Sequence, residues 1–285
     1  MSAKRVVVRA AGFGSARTSS LGERESSGVR FTDIRKGGNK LQNKIKQFQE
    51  KLESSQKIVF FGGAGVSTAS GIPDFRSATG LFMQDTGRNY SAEDIISHSF
   101  FNRFPEEFFS FYFEKLIFPD VKPNLAHNYL VELEKMGKEV TVVTQNIDGL
   151  HQLAGSQKVL ELHGTVLENY CLDCYREYSV NELVRDEKGI PRCPQDGGVV
   201  RPNIVLYEEG LNQDTIEQAI SALEAADMLI VAGTSLVVYP AAGLVNYFRG
   251  EHFVVINQTP LQIHQANALV FENTLNEVFT PMSGQ

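Results

Sequence analysis

The sequence predicts a doubly wound parallel α/β sheet with a small inserted module, and three observations carry that expectation. Short apolar runs rich in β-branched residues alternate with helical segments, as in parallel strands buried on both faces. One run, Ile58-Val59-Phe60-Phe61, passes straight into the glycine turn Gly62-Gly63-Ala64-Gly65. A Rossmann-like sheet opens a dinucleotide site in this way. A cysteine-bearing stretch, residues 166–201, then interrupts the alternation.

The elements follow in order. Leu41, Ile45, Phe48 and Leu52 recur at helical spacing on a polar background, so a helix begins at Leu41. A strand is expected over Lys57–Phe61. Pro123 to Met136 reads as a helix with Tyr129, Leu130 and Leu133 on one face, before strands at Glu139–Thr144 and Val159–Leu162. Ile216, Ile220 and Leu223 mark a helix from Asp214 to Ala226. Strands at Met228–Ala232, His252–Ile256 and Ala268–Phe271 complete the sheet.

Two segments break this rhythm. Residues 81–118 are rich in Phe, from Phe100 to Phe113, on all sides of a helix, which predicts burial between layers. Ser91 with Asp94 resembles a capping box there, and Pro105 suits a helix start. Residues 166–201 hold all three cysteines. The expected organisation is therefore a Rossmann-like domain from 41–80, 119–165 and 202–280, with a small domain from 81–118 and 166–201. Residues 1–40 carry nine Lys or Arg against three acidic residues, with Gly12, Gly14, Gly22 and Gly28 interrupting any long helix. They are expected to be a disordered extension or the product of a start codon placed too early.

The 285 residues suit one large domain with a small insert, and no apolar run approaches the roughly 18 residues of a membrane span. A net charge of −7 argues against a dedicated nucleic-acid surface. The odd cysteine count, with Cys171-x-x-Cys174, indicates a reducing compartment and a metal or redox role. With no secretory h-region, a cytoplasmic location is expected. Oligomeric state is left open.

Chemistry-bearing residues cluster at predicted strand ends. Asp74-Phe75-Arg76 stands only nine residues past Gly65, far closer than the acidic ribose-binding residue of an ordinary dinucleotide site. Thr144-Gln145-Asn146-Ile147-Asp148, His163-Gly164-Thr165 and Gly233-Thr234-Ser235 each follow a strand. Ligands of open α/β sheets bind beyond the carboxyl ends of the strands, so all should converge on the glycine turn. Cys171, Cys174 and Cys193 are three quarters of a zinc ribbon, with Asp196 in the fourth position. Zinc accepts carboxylate oxygen, so the alternatives are a Cys₃Asp zinc site and a degenerate ribbon packed without metal. His127 and His151 lie outside this module, and His127 reads as structural.

Taken together, Gly-Ala-Gly-Val-Ser, Gly-Ile-Pro-Asp-Phe-Arg, Gln-Asn-Ile-Asp-Gly-Leu-His, Leu-His-Gly-Thr and Gly-Thr-Ser-Leu, in this order, closely resemble the sirtuin family of bacterial type. The resemblance runs from about Leu41 to Phe279. It implies an NAD-dependent protein-lysine deacylase that consumes NAD as co-substrate. In that chemistry the acyl oxygen attacks C1′ of the nicotinamide ribose and expels nicotinamide. A histidine base then activates a ribose hydroxyl, and the acyl group leaves as O-acyl-ADP-ribose. His163 matches the base, with Asn146 near the reacting centre.

The resemblance assigns Gly63, Ala64, Gly65 and Ser67 to the phosphate turn, and Asp74, Phe75 and Arg76 to a mobile cofactor loop. Gln145 and Asn146 match ribose contacts, and Asp148 the acceptor for the nicotinamide carboxamide. Gly233, Thr234, Ser235 and Asn257 match the adenosine side. Val205 and Tyr207 align with positions that grip the acyl-lysine chain of a protein substrate paired by its backbone. Many relatives have Phe-Gly-Glu where this chain has Tyr207-Glu208-Glu209, which puts the peptide contacts in doubt. Members that remove acidic acyl groups carry a Tyr-x-x-Arg pair after the cofactor loop; residues 81–118 have none, so a neutral acyl group fits. The alternative function is a mono-ADP-ribosyltransferase using the same cleavage of NAD.

Overall fold

The computed structural model describes residues 31–263, 265 and 267–279. The expectation for the N-terminal extension lies outside them up to residue 30. Helix α1 (Phe31–Ser54) starts ten residues before the predicted Leu41. Once a helix is nucleated each further residue adds one hydrogen bond, which offsets about 1 kcal/mol for each of Gly37 and Gly38. The remaining helices are α2 (Ala92–Ile95), α3 (His98–Arg103), α4 (Pro105–Lys115), α5 (Leu125–Lys135), α6 (Leu150–Ala154), α7 (Gln213–Ala225) and α8 (Leu275–Val278). The predicted local signals explain several ends. Ser91 and Asp94 form the capping box of α2, Pro105 opens α4, and Asn124 caps α5, so that helix begins at Leu125 and not at Pro123.

The chain builds one half of its main sheet from β1 (Lys57–Gly62), β2 (Glu139–Thr144) and β3 (Val159–Glu161). It then leaves for five strands outside that sheet: β4 (Gly164–Cys171), β5 (Glu177–Ser179), β6 (Val184–Arg185), β7 (Pro191–Arg192) and β8 (Val200–Ile204). Strands β9 (Met228–Ala232), β10 (His252–Ile256) and β11 (Leu269–Phe271) supply the other half. The order is β11-β10-β9-β1-β2-β3, with every pair parallel. Each half therefore grows outward from the middle, and the direction of winding reverses between β1 and β9. That reversal opens a crevice at their carboxyl ends.

Both faces of the sheet are covered, which is why its strands read as unbroken apolar runs. Val59, Phe61, Leu229, Val231 and Val255 face Ala219 and Leu223 of α7. On the other face Phe279 stacks on Phe48 of α1 at 6.0 Å and on Tyr129 of α5 at 4.2 Å, and lies against Phe60 of β1. The Phe-rich helices and the inserted strands share a separate cluster. Phe100, Phe101, Phe108, Phe109 and Phe111 pack with Val166, Ile190, Ile204 and Leu206 beside the antiparallel sheet β5-β4-β8. Among the described residues no helix is long and apolar enough to cross a membrane.

Candidate active site

The crevice opens where the strand ends are laced together one residue beyond the sheet. Gln145 N–H donates to Gly62 C=O at 2.9 Å, Gly63 N–H to Ala232 C=O at 3.2 Å, and Gly233 N–H to Ile256 C=O at 3.2 Å. The glycine turn is a short 3₁₀ segment, Ala64–Val66, and not the start of an α-helix. Gly65 N–H turns inward to Gly233 C=O at 2.8 Å. A Cβ on Gly65 would stand 2.8 Å from Gly233 Cα, and one on Gly63 2.8 Å from Gly233 C=O. Both obstacles are backbone, so glycine is needed here for the close approach of the two loops. The N–H groups of Gly63 and Gly65 are thus both bonded, to the end of β9 and to the loop that follows it.

A cleft of about 850 Å³ lies above these ends. Gly63, Ala64, Gly65, Gly233, Thr234, Ser235 and Asn257 line it, as do Asp74, Phe75 and Arg76. Gln145, Asn146, His163, Val205 and Tyr207 line it as well. Ser67 and Asp148 adjoin the lining through Asn146. Asn146 Nδ2 donates to Ser67 Oγ at 3.1 Å, and Ser67 Oγ to Asp148 Oδ2 at 2.6 Å. Asp148 Oδ1 in turn accepts Leu150 N–H at 2.9 Å, at the start of α6. Among the described residues Asn146 Oδ1 is buried without a partner, and an unsatisfied buried acceptor costs about 1–3 kcal/mol. A ribose hydroxyl in the cleft would supply the missing donor, so the cleft fits a dinucleotide.

His163 stands in the turn between β3 and β4. Its Nδ1–H donates to Gln145 C=O at 2.9 Å, because a carbonyl can only accept. That bond fixes the tautomer and leaves Nε2 with the lone pair. Burial holds the imidazole below its usual range, against the opposing pull of the same carbonyl. A neutral ring with an unprotonated Nε2 is a general base at neutral pH.

The cofactor-loop residues form a turn of their own. Asp74 Oδ1 accepts the N–H groups of Arg76 and Ser77 at 3.1 and 2.8 Å. Arg76 lies over the Phe82 ring at 5.1 Å and donates to Tyr207 Oη at 2.9 Å; that hydroxyl reaches Glu93 at 3.2 Å. Gln145 Nε2 donates to Thr234 Oγ1 at 3.0 Å, which joins the strand ends of β2 and β9.

Sequence reasoning did not single out several groups around this site. Arg201, buried between Phe101 and Tyr170, donates to Glu209 at 2.7 and 3.1 Å. Glu161 lies two residues before His163 with a buried oxygen lacking a partner. A carboxylate inside the apolar run Val159–Leu162 was the available signal for Glu161; nothing in the spacing of Arg201 and Glu209 announces their pairing.

Cys171, Cys174, Cys193 and Asp196 converge as predicted, their ligand atoms all within 4.8 Å of one another. Cys174 Sγ and Cys193 Sγ are 3.7 Å apart and Cys171 Sγ is 3.4 Å from Asp196 Oδ1. A tetrahedron with zinc–sulfur bonds of about 2.3 Å has edges of this size. The four residues fit a structural zinc. Tyr178 Oη, 3.0 Å from Cys193 Sγ, and Gly198 N–H, donating to Asp196 Oδ1 at 2.9 Å, orient two of the donors.

The crevice at the strand ends, its unsatisfied acceptor and the oriented imidazole are those of a Rossmann-like protein with a site fitted to a dinucleotide. A family model described as the Sir2 family matches residues 63–240, and the chain belongs to that family. It is 54% identical over 239 residues to an NAD-dependent protein deacetylase of Clostridium perfringens, covering 84% of this chain and 98% of that protein. Among solved structures, a Sir2 complex with a p53 peptide and NAD+ is similar with a TM-score of 0.71 and 40% identity, covering 82% of this chain and 95% of that one. A Sir2 bound to an acetylated peptide is similar at 0.70 and 39% identity, covering 82% and 94%.

Proposed function

We propose that this chain removes acyl groups from lysine side chains of proteins with consumption of NAD, releasing nicotinamide and O-acyl-ADP-ribose. The observation that carries the reading is His163, whose Nδ1–H is tied to Gln145 C=O while burial keeps the ring neutral. NAD bound in the cleft supplies a ribose hydroxyl and a cleavable glycosidic bond. Asn146 Oδ1 accepts from that ribose, and Asn146 Nδ2 is oriented by Ser67. Asp148 receives the nicotinamide carboxamide, a charge-assisted bond to a carboxylate already aligned by Ser67 and Leu150. His163 Nε2 takes the proton of the ribose hydroxyl that attacks the acyl carbon.

Gly63, Ala64 and Gly65 line the phosphate side, Gln145 a ribose, and Gly233, Thr234, Ser235 and Asn257 the adenosine end. Asp74, Phe75 and Arg76 cover the cofactor. Val205 and Tyr207 flank the acyl-lysine chain. Tyr207 has its backbone N–H and C=O paired to Ile96 and His98, and on the opposite edge Leu206 has both of its own paired to Glu209, so the segment that carries Val205 and Tyr207 is held on both sides. The apolar lining from Phe82, Ile96, Leu116 and Ile147 supports a neutral acyl group. The paired cysteines support a reducing, cytoplasmic setting.

The test is incubation with NAD and an acetyl-lysine peptide, following nicotinamide, O-acetyl-ADP-ribose and peptide mass. Deacetylated peptide with both small products is the expected result. His163→Ala should abolish deacetylation, by about 10²-fold or more, in a protein with unchanged circular dichroism; undiminished turnover removes His163 from the base role. Nicotinamide release with protein-bound ADP-ribose and no deacetylation identifies a transferase instead.

A further inference from the structure

Helix α3 starts with N–H groups that no helical carbonyl reaches, as every helix does. Ser97 Oγ accepts from Phe100 N–H at 3.3 Å. The two preceding donors are satisfied by a distant segment: His98 N–H donates to Tyr207 C=O at 3.0 Å, and Ser99 N–H to Glu208 Oε2 at 2.8 Å. The other carboxylate oxygen, Glu208 Oε1, accepts from the Ser99 hydroxyl at 2.9 Å. Tyr207 N–H returns the contact to Ile96 C=O at 3.0 Å. One residue on, Glu209 accepts from Arg201 and from Leu206 N–H, and pairs with His98 Nδ1 at 2.7 Å.

Glu208 achieves this with φ at +75°, the left-handed region that costs a non-glycine residue roughly 1–2 kcal/mol. A side chain kept in a disfavoured backbone conformation, with both oxygens bonded to one serine, has a structural task. We propose that Glu208 is a positioning residue: its carboxylate braces the strand after β8 against α3 and thereby sets Val205 and Tyr207 for the acyl-lysine. The brace requires only the carboxylate oxygens at Ser99 and no contact with a charge on the peptide. This inference rests on the assignment of Val205 and Tyr207 to the substrate strand.

The experiment uses the full chain and the variants Glu208→Gly, Glu208→Gln, Ser99→Ala and Tyr207→Ala. Two acetyl-lysine peptides, one with basic and one with neutral flanking residues, are the probes. Readouts are KM for peptide and for NAD, and hydrogen exchange of residues 96–99 and 204–209. Glu208→Gly and Ser99→Ala should raise peptide KM about three- to tenfold, leave the KM for NAD unchanged and accelerate exchange in both segments. Glu208→Gln, which keeps an acceptor for Ser99 N–H, should recover most of the loss and retain the ratio between the two peptides. A shifted ratio in Glu208→Gln makes Glu208 a charge reader and overturns the brace, as does unaltered exchange in Glu208→Gly. Tyr207→Ala separates the two readings. Unchanged peptide KM there withdraws the substrate-strand assignment itself; a raised KM there beside a silent Glu208→Gly withdraws the brace alone.

Discussion

Glu161 and His163 stand two residues apart, and burial acts on them in opposite chemical directions. Burial disfavours whichever form is charged, so it lowers the imidazole and raises the carboxyl. The Glu161 carboxyl is pushed up to about 7, chiefly by burial and further by Glu168 and Asp148, against bonds from Gln152 and Thr165. A carboxyl raised on folding holds its proton better in the native state, so its contribution to stability is complete below about pH 4.5 and is lost as pH rises through 7. Glu161→Gln should therefore gain thermal stability relative to the parent between pH 5 and pH 8, read as a widening difference in Tm; a constant difference contradicts the assignment. At His163 the depressed imidazole places the acid limb of activity below the free value of about 6.5. The candidate base and its amide neighbours were legible in the sequence because each sits at the end of an apolar run. Glu161 was not read, because an isolated acid in a short strand carries no periodic signal.

At the level of elements, α5 and α6 meet through two buried histidines. The rings of His127 and His151 lie 4.6 Å apart, and His127 Nδ1 accepts Asn124 N–H at 3.2 Å in the cap of α5. His127 Nε2 and both His151 ring nitrogens lack partners. Burial lowers His127 to about 4, against the attraction of Asp148, and lowers His151 to about 3, with His127 adding to the effect. Both bind protons more weakly when folded, so their stabilisation is complete above pH 6.5 and is lost as pH falls through 4 and 3. Urea midpoints should decline from pH 7 to pH 4, and His151→Phe should flatten the decline; an equal slope in the variant excludes the pair as its source. His127 reads as structural from sequence, and its buried place in the cap of α5 agrees. Its partner could not be inferred, because His127 and His151 meet only once α5 and α6 are packed on the sheet.

Across the whole molecule, the cysteine module depends on more than its own apolar contacts. Its core cluster consists of Cys171, Cys193 and Val200, with Tyr178 and Leu183 packed against it, too little to hold a module of this size. Val166 and Ile190 tie it to the Phe-rich cluster, and a zinc held by Cys171, Cys174, Cys193 and Asp196 would supply the rest. Purified protein should carry close to one zinc per chain, and a strong chelator should lower Tm and release the module to proteolysis. Asp196→Ala should lose zinc and Asp196→Cys retain it against the chelator longer than the parent. Zinc well below one per chain, with no response to chelation, leaves a ribbon packed without metal.

The spans of the six main-sheet strands to within a residue, the helix starts at Ser91 and Pro105, the glycine turn and the metal-ligand spacing were determined by the sequence alone. Each is a local property: fully buried parallel strands must be apolar throughout, and caps and Cys-x-x-Cys pairs are read over a few residues. Only the tertiary structure decided what the pieces do to one another. The order β11-β10-β9-β1-β2-β3 puts residues 62–65 beside 232–234, and the resulting closeness leaves no room for a side chain at Gly63 or Gly65. Packing likewise decides what Glu208 does. In sequence it is a replacement expected to alter the peptide contacts, and in space it is hydrogen-bonded to Ser99, 109 residues away. Such pairings depend on how distant segments pack, and no periodicity along the chain records them.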